Sequence, residues 1–302
     1  MAEKIPVEID VLCVGNASYD LYFSVDSHPG PDEKVFASAL LECGGGPAAN
    51  AAVTVSRLGL KAAWAGYLGT DTFGEKYFRE LAEEKVVTDY VLQGPDPTPL
   101  SAILVKPDGK RTVINRMGDT RKIKPQYLDL SSCTPKVILF DGHEPLLSLP
   151  LAEQARQLGQ VTVLDAGSVH QGTEALADKV DYLAASQKFA CDFTSEQRPE
   201  KALGKLSAVS PHVIITMGEK GLIWKTDKGE GYLSAFPITA LDTTGAGDVF
   251  HGALAAGIAQ GKRWSDLLKY ASVAAALCCT KLGARPGIPS ANEVDAFLKA
   301  NP

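Results

Sequence analysis

The run Asp242-Thr-Thr-Gly-Ala-Gly-Asp-Val-Phe250 sets two glycines and two small hydroxyl residues ahead of an apolar, alanine-rich stretch over 249–258 that reads as a helix. Glycine permits a tight turn, and the first turn of a helix carries N–H groups without partners inside the helix. Together with the positive end of the helix dipole, Gly245, Ala246 and Gly247 make an anion site. Asp248 lies inside that same turn. A carboxylate beside an anion cradle can take the proton from a hydroxyl, as phosphoryl transfer to an alcohol requires. Alone, the run also has a plainer reading, because an Asp complements the dipole and Gly-Ala-Gly makes a short connection.

It does not stand alone. In Cys43-Gly-Gly-Gly-Pro-Ala-Ala-Asn50, the glycines, Gly45 and Gly46 among them, permit backbone approach to a ligand. Pro47 suits a first helical position, and Asn50, one turn later, offers both a donor and an acceptor for the hydroxyls of a polyol. Asp20 follows the first strand, at the sheet edge where open α/β folds bind ligands, and a carboxylate there can accept from vicinal hydroxyls. In Thr216-Met-Gly-Glu-Lys-Gly221, Thr216, Gly218 and Gly221 follow a strand; this is a weak nucleotide-loop signal that also fits a hairpin.

The elements that must position these groups alternate. Strand-like apolar runs at residues 9–15, 61–67, 137–140, 161–164, 180–183 and 213–216 are separated by helical stretches, including 47–58, closed by Gly59, and 72–84. The alternation predicts an α/β fold: a doubly wound, mostly parallel sheet flanked by helices. Two regions break the rhythm. Residues 19–25 and 35–41 alternate around His28-Pro-Gly-Pro31, and 100–106 and 111–116 flank the hairpin signal Pro107-Asp-Gly109. These four strands predict a small β-sheet lid, contributed by about 19–43 and 99–117, on a single domain spanning 1–302. Its exposed edges predict a homodimer in which the lids pair.

Composition narrows the partners. The chain has 302 residues, 45% of them hydrophobic, with 30 basic and 36 acidic side chains and a net charge of −6. An acidic surface without a basic cluster argues against nucleic acid and anionic membranes. Six scattered cysteines form no C-x-x-C pair and read as buried thiols of a reducing compartment. Residues 1–6 lack the apolar core of a signal peptide, and no stretch approaches ~18 apolar residues, so a cytoplasmic protein is expected.

GGGPAAN and DTTGAGDVF together resemble the two signatures of the ribokinase-like (PfkB) carbohydrate kinases. The resemblance extends to Gly15 and Asp20, to TMGEKG, and to the closing Thr280-Lys-Leu-Gly-Ala-Arg-Pro-Gly-Ile-Pro289, and so covers nearly the whole chain. It implies ATP and Mg2+, Asp248 as general base, and Gly245, Ala246 and Gly247 as the hole for the transferring phosphoryl group. It also implies Asp20, Gly45, Gly46 and Asn50 against the sugar, with Thr216, Gly218, Gly221 and Ser186 on the nucleotide side. Many members carry Asn-x-x-Glu where this chain has Ala185-Ser-Gln-Lys-Phe189, leaving Asp165 as a substitute metal carboxylate. The segment 280–289 resembles a loop that binds a monovalent cation, implying potassium activation.

Within the family, the closing segments resemble sulfofructose kinases and, more distantly, ketohexokinases. Lys34, Asn115 and His143 then fall at lid or pocket-edge positions, although an arginine is expected where His143 stands. Arg116 would add positive charge, yet strand alternation turns it to the face opposite Asn115. The other four histidines receive no role. The expected activity is transfer of the ATP γ-phosphoryl group to a hydroxyl of a ketose, pentose or sugar derivative. The alternatives are an adenosine-type nucleoside kinase, from Gly15-Asn16 and Asp20, and a non-catalytic ligand-binding regulator.

Overall fold

The computed structural model describes residues 7–118, 120, 122–130 and 133–301; the opening residues 1–6 read above lie outside them. The chain begins with β1 (Val7–Val14), β2 (Ser18–Ser24), β3 (Ala39–Gly45), α1 (Pro47–Arg57), β4 (Ala62–Gly69), α2 (Thr72–Glu83) and β5 (Val91–Gly94). Next come β6 (Leu100–Val105), β7 (Arg111–Arg116), β8 (Cys133–Phe140), α3 (Pro145–Leu158), β9 (Val161–Ala166), α4 (Gln171–Leu176) and β10 (Tyr182–Ser186). Then follow α5 (Gln187–Thr194), α6 (Pro199–Leu206), β11 (His212–Thr216), β12 (Leu222–Thr226) and β13 (Gly229–Leu233). Helices α7 (Ala246–Ala259), α8 (Trp264–Cys278), α9 (Ala284–Gly287) and α10 (Ala291–Ala300) close the chain.

Nine strands form one sheet in the order β13-β12-β11-β10-β9-β8-β1-β4-β5. All pairings from β11 to β5 are parallel, and β12 and β13 add an antiparallel edge. Alternate residues of β1 face opposite sides: Val11 and Cys13 pack with α1, α7 and α8, whereas Leu12 and Val14 join the cluster that includes Phe140, Leu164 and Phe189. That is the pattern of a parallel strand buried on both faces. Burying each such side chain stabilises by roughly 1.5–3 kcal/mol.

Two small-residue helices, α1 and α7, lie together on one face of the sheet. A Cβ on Gly252 would come within 2.7 Å of the Ala51 carbonyl oxygen, so only glycine lets α7 approach α1 this closely. This contact brings Asn50 to Asp248.

The irregular regions form the expected separate sheet, in the order β3-β2-β6-β7. Its hairpin turns at Pro107-Asp-Gly109, where the Gly109 N–H reaches the Lys106 carbonyl at 2.9 Å. Several boundaries differ from the sequence expectation, β8 beginning at Cys133 and β10 running from Tyr182 to Ser186, and the strand expected at 35–41 is displaced at both ends, running from Ala39 to Gly45. Gly44 and Gly45, read as a turn, are ladder residues opposite Tyr19 and Ser18, and the turn begins only at Gly46. The edge strands β5 and β13 escaped the sequence reading because they are short and half-exposed, whereas β12 follows Gly221 as the loop signal implied.

Among the described residues all six cysteines are free, and no helix is long and apolar enough to cross a membrane.

Candidate active site

The site lies at the carboxyl ends of the parallel strands and is roofed by the lid. Helix α7 starts at Gly245, whose φ of 76° puts it in the left-handed region, and its Ala246 N–H makes only a long 3.4 Å contact to the Thr243 carbonyl. The leading N–H groups of α7, with the helix dipole behind them, therefore remain directed at the cleft. Asp242 holds the approach to this turn. Its Oδ1 accepts from the Thr244 N–H at 2.9 Å and the Thr244 hydroxyl at 2.6 Å, and its Oδ2 accepts from the Gly283 N–H at 2.9 Å.

Asp248 projects from the first turn of α7 and accepts a 2.8 Å hydrogen bond from Asn50 Nδ2. Burial pushes its pKa up to about 7, and the nearby Asp165 carboxylate adds to the effect; the Asn50 hydrogen bond and His251 pull the other way. A base that changes charge near neutral pH is suited to accepting a hydroxyl proton.

One turn further along α7, buried His251 has its Nε2 3.1 Å from the Ala184 carbonyl oxygen and its Nδ1 3.1 Å from Asp165 Oδ2. The second approach is a charge contact without hydrogen-bond alignment. Burial opposes charge on this ring, but Asp165 and Asp248 outweigh it and raise its pKa. An acceptor facing each ring nitrogen favours the imidazolium form. His251 was missed in the sequence because a histidine in an apolar helix reads as core; only its i+3 spacing from Asp248 hinted at the site.

The residues expected against an acceptor begin on β2 and β3. Asp20 is buried, accepts from the Ser18 hydroxyl at 2.8 Å, and has its pKa raised by burial. A Cβ on Gly45 would come within 2.1 Å of Asp20 Oδ2, so the carboxylate lies directly against the glycine backbone. Asn115 is paired with Ser101, which is paired with Asp20, placing all three on one face of the lid. Arg116 pairs with Leu100 and hence falls on the face opposite Asn115, as strand alternation required. Lys34 is exposed in the connection between β2 and β3.

His143 follows β8, and its ring stacks on His170 with centroids 4.5 Å apart. Burial, with the neighbouring charges of His143 and Lys122, holds His170 down at about 4. Between β1 and α1, the Asp141 carboxylate takes the Asn16 N–H at 2.7 Å, the Ala48 N–H at 3.2 Å and the His143 N–H at 2.8 Å.

Of the residues expected on a nucleotide, Ser186 and Thr216 are register partners on β10 and β11. The Ser186 hydroxyl caps α5 through the Phe189 N–H at 2.9 Å and donates to the Gly167 carbonyl at 2.8 Å, so it is occupied within the fold. Gly218 and Gly221 shape the loop leading into β12, at φ of 60° and 84°.

Among the described residues no group of three or more His, Cys, Asp or Glu side chains is arranged to hold a metal ion. Asp165 offers one carboxylate near Asp248, with Oδ2 directed at His251. In the segment 280–289, the carbonyls of Arg285 and Ile288 accept from the Arg57 guanidinium at 3.0 and 2.8 Å.

The open N-terminus of α7, the adjacent Asp248 and the buried Asp20 of the small sheet lie within one another's electrostatic reach. Residues 8–291 match the model of the pfkB family of carbohydrate kinases, and the chain belongs to that family. It is 28% identical to the ribokinase of Bacillus subtilis over 294 residues, covering 96% of this chain and 99% of the relative. To fructokinase-2 of Solanum habrochaites it is 27% identical, covering 87% and 89%. The solved ribokinase of Thermotoga maritima superposes with a TM-score of 0.86 at 27% identity, over 96% of this chain and 99% of that one. The ribokinase of Arabidopsis thaliana, solved with ribose and ATP, gives 0.85 at 24% identity over 97% and 99%. These relatives are phosphotransferases, and their fold is this one: a large, mostly parallel sheet with flanking helices and a small separate sheet.

Proposed function

We propose that this kinase transfers the γ-phosphoryl group of ATP to a hydroxyl of a ketose or pentose. The observation that carries the reading is the 2.8 Å hydrogen bond from Asn50 to Asp248, which joins the two glycine clusters at the open end of α7. The acceptor hydroxyls lie between Asp20 and Asn50, and one of them points at Asp248. Asp248 takes the proton as the oxygen attacks phosphorus, and the leading N–H groups of α7 carry the charge on the transferring group. The lid holds the acceptor and keeps water from the phosphoryl group.

Mg2+ bound to the ATP phosphates would neutralise their charge. Asp165 is the carboxylate that fits beside it, and Thr216, Gly218 and Gly221 line the nucleotide side. Potassium activation through 280–289 is tested by comparing turnover in KCl and tetramethylammonium chloride; equal rates remove it.

The reading is tested by mixing the protein with ATP, Mg2+ and, separately, D-ribose, D-fructose and adenosine while following ADP. Turnover with a sugar is expected. Turnover with adenosine alone makes this a nucleoside kinase, and none with any acceptor sinks the proposal.

The lid supports a homodimer as well. Phe36, Leu40 and Ile114 are 86%, 54% and 61% exposed, and all six residues of β7 are exposed. Apolar patches and open strand edges of this kind call for a cover. Light scattering is expected to give twice the chain mass, and Ile114→Asp to halve it.

A further inference from the structure

Behind the Asn50–Asp248 hydrogen bond lies a residue that neither composes the phosphoryl cradle nor reaches the acceptor. Arg285, at the start of the C-terminal segment, is 2% exposed. Its Nε donates to Asn50 Oδ1 at 3.2 Å. One terminal nitrogen, NH1, meets Glu80 Oε1 at 3.1 Å, and the other, NH2, donates to the Tyr77 hydroxyl at 2.9 Å. The guanidinium lies over the Tyr77 ring, 5.4 Å from its centroid. Tyr77 and Glu80 extend the chain to the acceptor loop: the Tyr77 hydroxyl donates to the Gly45 carbonyl at 2.5 Å, and the Gly44 N–H donates to Glu80 Oε2 at 2.7 Å.

The chemistry of these donors decides how Asn50 faces. An asparagine amide has one end that accepts and one that donates, and the two are close to the same shape. Arginine only donates. Arg285 can therefore tolerate only Oδ1 of Asn50, which leaves Nδ2 no direction but Asp248. Without Arg285 the amide is free to turn over, and its Oδ1 can then accept from a protonated Asp248.

We propose that Arg285 is a positioning residue, which locks the Asn50 amide with Nδ2 toward Asp248 and so favours the ionised carboxylate and aims it at the acceptor hydroxyl. The proposal rests on the sugar-kinase reading for its consequence in turnover. The same lock ties the base to Gly44 and Gly45, so that the acceptor loop and the proton acceptor are held by one buried cation. The groups acting on Asp248 are Asn50 from α1, Asp20 from β2, Asp165 from β9 and His251 from α7 itself. Arg285 is the device that sets the direction of the first of them.

The test reads Asp248 directly. With carboxyl-13C aspartate, its resonance is identified by its absence in Asp248→Asn and titrated by NMR from about pH 5 to pH 9. The midpoint in Arg285→Met is expected to rise by roughly one unit, equivalent to about tenfold less ionised base at low pH. Asn50→Leu is expected to do the same, and the double variant to add nothing further, because both act through one bond. Arg285→Lys, which keeps a cationic donor, is expected to recover part of the displacement. With D-ribose or D-fructose as acceptor, the acid limb of kcat moves up in parallel.

An unmoved midpoint accompanied by a lowered Tm makes Arg285 a packing residue and overturns the proposal. Additive shifts in the double variant overturn it equally. Should Arg285→Met fail to fold, Arg285→Gln and Arg285→Lys are read by the same criteria. Absence of turnover with any acceptor defeats the sugar-kinase reading and leaves the titration result standing.

Discussion

Helices α1 and α7 pack side by side, and each begins just after a glycine of positive φ, Gly46 at 91° and Gly245 at 76°. Their N-termini nevertheless do opposite things. That of α1 is already filled: Pro47 removes one N–H, and the Asp141 carboxylate takes the N–H of Ala48. That of α7 keeps its leading N–H groups free and carries a carboxylate whose charge is suppressed near neutrality. On the proposed reading, the same dipole stabilises a built-in anion at one helix and is left for the transferring phosphoryl group at the other. A positive helix end becomes a binding site only when the protein declines to occupy it.

The largest break in this contrast is Asp248→Asn. It is expected to lower kcat by ~10² or more while ligand binding survives, measured by ADP release and calorimetry. In the native enzyme kcat should rise with pH through about 7, where Asp248 loses its proton. The sign for stability is opposite. The folded-state pKa lies above the ordinary value of 3.8, so the group's stabilising contribution is full below about pH 4 and is lost as pH climbs to about 7. Asp248→Asn should therefore melt above the native protein at pH 8, by roughly 2 °C or more, with the gap closing toward pH 4.

Next comes alanine at each helix-opening glycine. A Cβ on Gly245 would meet the Ala284 Cβ at 2.5 Å, and one on Gly46 would meet the Ala17 Cα at 2.6 Å. Both substitutions should cost about 1–3 kcal/mol of stability through backbone strain, read by denaturant unfolding. Only Gly245→Ala should also drop kcat by about tenfold or more, because it displaces donors aimed at the phosphoryl group. Equal kcat losses at both positions would erase the distinction drawn between the helices.

Asp141→Asn should act in the reverse sense, leaving three backbone N–H groups facing an amide. A loss of about 1–3 kcal/mol in unfolding free energy is expected, with kcat less affected than by Gly245→Ala. The smallest effect is predicted for Arg111→Ala. Arg111 reaches from the lid to the Thr244 hydroxyl at 2.7 Å and to Asp242 at 3.5 Å. A partly exposed contact of this kind contributes about 0–1 kcal/mol, so kcat should change by no more than about fivefold.

The fold was legible where the chain has strong periodicity. The parallel strands, α1 with its stop at Gly59, and the hairpin at Pro107-Asp-Gly109 all lie where apolar spacing and turn residues put them. The lid strand β3 was misjudged by four residues because glycines in a ladder carry no side-chain pattern, and Gly44 and Gly45 look like a turn until their partners are seen. Asp248 and Asn50 were singled out by type and glycine-rich setting, and the fold joins them by a hydrogen bond, while strand alternation put Arg116 on the face opposite Asn115. His251, Asp141 and Arg285 were not assigned, since each works through a partner more than 80 residues distant, Asp165 in the case of His251, which no local pattern encodes.

Asp20 belongs to β2, a strand of the lid, while Asn50 and Asp248 belong to helices packed on the large sheet. An acceptor that engages all three is gripped by two bodies at once. Such an arrangement makes the sugar itself the closing element, and it favours an ordered addition in which the acceptor enters before phosphoryl transfer can begin. Initial-rate patterns with an ATP analogue that cannot give up its phosphoryl group would then show competitive inhibition toward ATP and uncompetitive inhibition toward the sugar, and ATP alone would be hydrolysed slowly.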